Sequence, residues 1–175
     1  MQQITMNETC AMTDMAMRPA TACWQNPLEL VSSHLFQTLA ASLQREEEKR
    51  GRALSAEFAA RSIEAGLGFL QLIALFPEAG PFRPAPRVDD AWHVFLLYTR
   101  EYMEFCERVA GKYIHHVPAD FPGSSDGEGL SLCETVKFME ARGIPFDPEI
   151  WGAENASGNW CLAWCGGCAP STLNA

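Results

Sequence analysis

Three apolar series repeat at helical spacing and each gives way to proline, glycine or a charged run, so the body of the chain is expected to be helices joined by short turns. The first series, Leu28, Leu30, Val31, Leu35, Phe36, Leu39 and Leu43, follows Pro27 at a first helical position and closes in the charged run Arg45 to Arg52. The second opens on the capping residue Ser55 and continues through Phe58, Ile63, Leu67, Leu70 and Ile73. It should stop near Phe76, before Pro77 and Gly80. Pro81, Pro84 and Pro86 form a stiff connector into a third helix, predicted from Val88 to about Val109. Ser131-x-x-Glu134 has the form of a capping box and opens a short helix through Val136, Phe138 and Met139 that ends at Gly143. The predicted class is all-α, a compact bundle of about four helices.

Around that bundle the chain divides into a flexible N-terminal arm, residues 1–26, a helical domain, 27–143, and an irregular tail rich in Cys and Trp, 144–175. With 175 residues the chain can bury roughly 70% of its unfolded surface, so its core needs neither metal nor disulfide. The Cys and His residues therefore call for another explanation. A net charge of −9 opposes binding to phosphate backbones, and nucleic acid is excluded as an expected partner. The N-terminus lacks a basic segment followed by an apolar run, and the apolar stretch Leu67 to Phe76 is too short for a bilayer. No membrane partner and a cytoplasmic location are expected. Seven cysteines make an odd number, which suits thiols, ligands or redox groups better than a complete disulfide framework. The acidic run at Glu46 to Lys49 reads as a solvated face, and His34 as a surface residue.

The third series carries the chemistry. On one continuous helix, Phe95, Tyr98, Tyr102, Phe105, Cys106 and Val109 gather on one side and Asp89, His93, Arg100 and Glu104 on the other. Trp92, Leu96, Leu97 and Met103 fill the flanks, so the Asp89 and His93 face is expected to border a cleft. Asp89 and His93 lie one turn apart, where the carboxylate can share a metal with the imidazole or orient its ring, with Asp90 as a nearby substitute. His115 and His116 follow in a segment that can fold back on the helix. Neighbouring residues of an extended chain point to opposite sides, so one of the two is expected to face the site. Imidazoles and a carboxylate suit a transition metal, Zn or Fe first among them.

The run Val88-Asp89-Asp90-Ala91-Trp92-His93 through Tyr102, then Phe105-Cys106 and Gly111-Lys112-Tyr113-Ile114-His115-His116-Val117-Pro118, resembles the small bacterial relatives of the glycine-rich domain-containing proteins of plants and fungi. The matching positions are Asp89, Trp92, His93, Tyr102, Gly111 and His116, with His115 matching mainly the bacterial members. Phe95 stands where plant and fungal members often carry a second histidine. The resemblance implies a helical domain and brings no established activity.

Cys161, Cys165 and Cys168 in the tail supply three thiols at a spacing that suits Zn, an iron–sulfur cluster or a dithiol. Trp160 and Trp164 suggest that the tail docks on the body. Together these features point to a metal-binding helical domain, a small metalloprotein or accessory protein. If it is an enzyme, an open metal position would activate water or oxygen. The alternative is a protein-interaction or adaptor domain in which the Asp-x-x-Trp-His motif is a packing and capping device.

Overall fold

The computed structural model describes residues 23–117 and 129–152. Within them the fold is all-α: five α-helices and no strand. Pro27 begins only a 3-10 turn, Pro27–Glu29, and the first α-helix, α1, spans Ser33–Lys49 with the Ser32 hydroxyl accepting from the Leu35 amide. Ser55 caps α2, Ala56–Leu75, in the same way through Phe58. Each serine satisfies one of the amides that a helix start leaves without a carbonyl.

The single third helix of the sequence reading is two helices, α3 at Pro86–Leu96 and α4 at Thr99–Ala110, with Tyr98 at ψ 62° between them. No proline or glycine marks the break; side-chain contacts enforce it. Phe95 and Phe105 have ring centroids 5.2 Å apart, and the Trp92 indole donates to the Tyr102 hydroxyl at 2.9 Å. Both pairs are ten residues apart, about 15 Å along a straight helix at 1.5 Å per residue, so neither contact could form without a bend. The fourth predicted helix is α5, Leu132–Ala141, opened by the Ser131–Glu134 capping box.

α2 is the central element and packs against α1, α3 and α4. Gly66 lets α3 approach closely, since a methyl group there would come within 3.0 Å of the Ala91 Cβ. Leu39, Leu43, Ile63, Leu67, Leu70, Val88 and Phe95 interlock as the buried centre. By length and composition α2 could cross a membrane, its polar and small residues extending the shorter apolar stretch. However, 56% of its most apolar window is buried in the fold.

Both ends of the described chain are tied to α2. Trp24 packs on the core, and the Gln25 amide donates to the Gln71 side chain. After α5, Arg61 on α2 holds Asp147 through two bonds of 2.6 and 2.8 Å, and Trp151 is buried against Phe69. Among the described residues after α5, up to 152, there is no further helix, and the Trp151 aromatic anchors them.

Candidate metal centre

α3 starts on Pro86, and its first two turns carry Asp89 and His93 on one face. The His93 Nδ1 lies 3.3 Å from one Asp89 carboxylate oxygen. α4 ends at Gly111, whose left-handed backbone (φ 65°) suits glycine and turns the chain back towards α3. In the returning segment Ile114 is buried, His115 exposed and His116 turned inward, the alternation of an extended chain. His116 Nε2 reaches the other Asp89 oxygen at 2.8 Å. As a hydrogen bond, the His116 contact requires the imidazole nitrogen to donate and the carboxylate to accept.

Asp89, His93 and His116 can each present one ligand atom, and those atoms lie within 4.8 Å of one another. The two imidazole rings lie 4.4 Å apart, tilted by 40°. His93 is 49% exposed at its side chain, Asp89 33% and His116 13%, so the cluster is a shelf with one sheltered and one open edge, shallower than the predicted cleft. Leu97, one turn beyond His93, is exposed rather than a wall of the site.

Buried groups hold the sheltered edge. The Trp92 ring packs edge-on to His116 at 4.4 Å. Its indole N–H donates to the Tyr102 hydroxyl, which donates to the Ile114 carbonyl at 2.7 Å, two residues before His116. Burial raises the Tyr102 phenol far above its ordinary range, so it stays protonated and remains a donor. The motif residues Trp92 and Tyr102 thus fix where the His116 backbone runs.

Of the histidine pair, His116 faces the cluster and His115 stands outside it, its ring 4.8 Å from that of Tyr113. Two other sequence expectations are corrected. Arg100 and Glu104 belong to α4 and do not continue the Asp89 and His93 face. Asp90 is no substitute for Asp89, because it pairs with Arg50 at 3.0 Å and with Arg87 at 3.3 Å.

Those arginines belong to a cluster that the sequence reading misplaced. Glu47 is not a solvated residue but fully buried, bonded to Arg52 at 2.6 and 2.8 Å, to Arg50 at 3.1 Å, and to Arg87. The Arg52 bond lowers its pKa to about 2 against the opposing effect of burial, with Arg87 assisting. A signal was present: Leu39, Leu43 and Glu47 follow at four-residue steps, so Glu47 extends the buried stripe of α1.

Among the described cysteines, Cys106 is a buried free thiol whose pKa is raised by burial, which disfavours the thiolate needed for ligation or attack. Cys23 and Cys133 are disulfide-bonded, correcting the expectation of thiols at those two positions. Cys161, Cys165 and Cys168 lie outside the described residues, as do Trp160 and Trp164.

A family described as UCP032817-like matches residues 31–138, more than half of the chain. The chain belongs to the UCP032817-like family. No curated protein and no solved structure matches it. The UCP032817-like region contains all three residues of the Asp89 cluster, the buried Glu47, and both Trp92 and Tyr102. Trp24, Trp151 and the cysteine-rich tail fall outside it.

Proposed function

We propose that this protein is a metal-binding helical domain, with Asp89, His93 and His116 as ligands to a transition metal, zinc or iron. The observation that carries the reading is one carboxylate with an imidazole on each of its oxygens, at 2.8 and 3.3 Å. Donors bound at about 2.0–2.2 Å to a shared ion stand roughly 3 Å apart, so these two edges need little adjustment. Three protein ligands leave coordination positions for water or a small molecule, and the half-exposed His93 gives access from solvent. The motif residues that also suggest a likeness to glycine-rich domain-containing proteins are, on this reading, the ligands and their supports. On the same reading Cys161, Cys165 and Cys168, outside the described residues, are a second candidate centre for zinc, an iron–sulfur cluster or a dithiol.

A second reading is favoured by the directness of the Asp89–His116 hydrogen bond, which can pin the returning segment without any ion. The motif is then structural and the protein an interaction or adaptor domain. Metal analysis of the full chain purified without a histidine tag separates the two. The metal reading expects one zinc or iron per chain, lost in His93→Ala and in His116→Ala and retained in Cys165→Ser. Folded, metal-free protein whose melting ignores a chelator would leave only the structural reading. Loss confined to Cys165→Ser would transfer the metal to the tail.

A further inference from the structure

On the side of α2 that bears Arg61, Glu64 and Phe69, the chain leaves a cavity of about 290 Å³. The 3-10 turn and Trp24 form one wall, and the segment from Pro145 to Trp151 forms another. Such a space accommodates a molecule the size of about ten waters. Its aromatic lining comes from Trp24, Phe69, Phe146 and Trp151. Gly68 helps to open it, because a methyl group there would already touch the Trp24 indole at 3.4 Å.

The charged groups of the lining are unequal. Arg61 is committed to Asp147 and, at 2.7 Å, to Glu149. Glu64 lies half-buried in the wall and has no hydrogen bond or ion pair among the described residues. Two carboxylates and one guanidinium therefore face the cavity, leaving one negative charge, which Glu149 beside them increases. Aromatic faces carry negative quadrupole charge and attract cations of low hydration. A carboxylate beside such faces adds its own attraction for a cation whose alkyl groups meet the apolar lining.

We propose that this cavity is a binding site for a small organic ammonium ion, held by the aromatic walls and by the carboxylate of Glu64. The nitrogen carries alkyl groups, because the walls offer apolar contact where a bare ammonium would need several acceptors. Nothing in the proposal depends on the Asp89 cluster, whose residues do not line this cavity.

The test titrates the full-length protein with choline and with tetramethylammonium, followed by calorimetry and by tryptophan fluorescence, since Trp24 and Trp151 line the site. Saturable binding is expected, weakened about tenfold by Glu64→Gln, the usual effect of losing a charge-assisted contact. Phe146→Leu should weaken it too, with both variants shown by circular dichroism to be folded. His116→Ala should bind as the parent does, which keeps this site separate from the proposed metal. The uncharged isostere 3,3-dimethylbutan-1-ol should not bind. No saturable binding, equal binding by Glu64→Gln, or equal binding of the uncharged isostere would each overturn the proposal.

Discussion

Asp89 and Asp90 are chain neighbours near the start of α3, yet their carboxylates answer to different partners. Asp90 joins the buried Glu47 among Arg50, Arg52 and Arg87, whose guanidinium groups stay charged at every ordinary pH. Asp89 meets two imidazoles, one on each carboxylate oxygen. One cluster locks the end of α1 to the start of α3; the other is a set of donors open on one side. A carboxylate held by arginine is committed to structure, and one held by histidine remains available for chemistry.

The contrast breaks most visibly at Glu47. Glu47→Ala removes the acceptor that three arginines share and should cost about 3 kcal/mol, as loss of one partner of a buried pair does. Urea unfolding measures this, and metal content should be unchanged. The same cluster sets an acid limit. Because the folded pKa of Glu47 is depressed to about 2, its contribution is complete above the ordinary carboxylate range and is lost as pH falls from there towards 2. Melting temperature should fall over that interval in the parent and fall less steeply in Glu47→Gln.

Asp89→Asn should behave in the opposite sense. Its contacts are partly exposed, so stability should change by no more than about 1 kcal/mol. Zinc affinity should fall about 100-fold, the share of one ligand in a protein zinc site. A large stability loss with unchanged zinc binding would reverse the assignment of roles to the two neighbouring aspartates.

Much of this arrangement can be read in the sequence, though unevenly. Ser55, the Ser131–Glu134 pair and Gly143 mark helix ends through local chemistry, so they are legible without tertiary knowledge. Asp89 and His93 share a face by helical periodicity, and the alternation in 114–116 selects one of two adjacent histidines. The bend at Tyr98 has no local mark, because it follows from contacts such as that of Phe95 with Phe105. Glu47 is hidden by its company: an acidic run suggests solvent, while the stripe begun by Leu39 and Leu43 points inward. The cavity beside Glu64 joins Trp24 to Trp151 across most of the chain, a pairing beyond any periodicity.

Tyr102 connects the buried side to the open cluster, and its replacement is a finer probe. Tyr102→Phe keeps the ring but leaves the Trp92 indole and the Ile114 carbonyl without their shared partner, at a cost of about 1–3 kcal/mol. The released segment should orient His116 less well, lowering zinc affinity by about 10-fold, as loss of a ligand's support does. An affinity equal to that of the parent would mean that Asp89 alone places the ring.

The smallest expected effect is also the cleanest test of the alternation. His115 is adjacent to a proposed ligand and has the same side chain, so composition alone cannot separate it from His116. Its ring, however, stands on the solvent side near Tyr113, away from Asp89. His115→Ala should leave stability within about 0.5 kcal/mol and zinc affinity unchanged, while His116→Ala loses the metal. Equal losses in the two variants would show that the segment can present either face, making the position of Asp89, rather than the direction of the returning chain, the feature that selects the ligand.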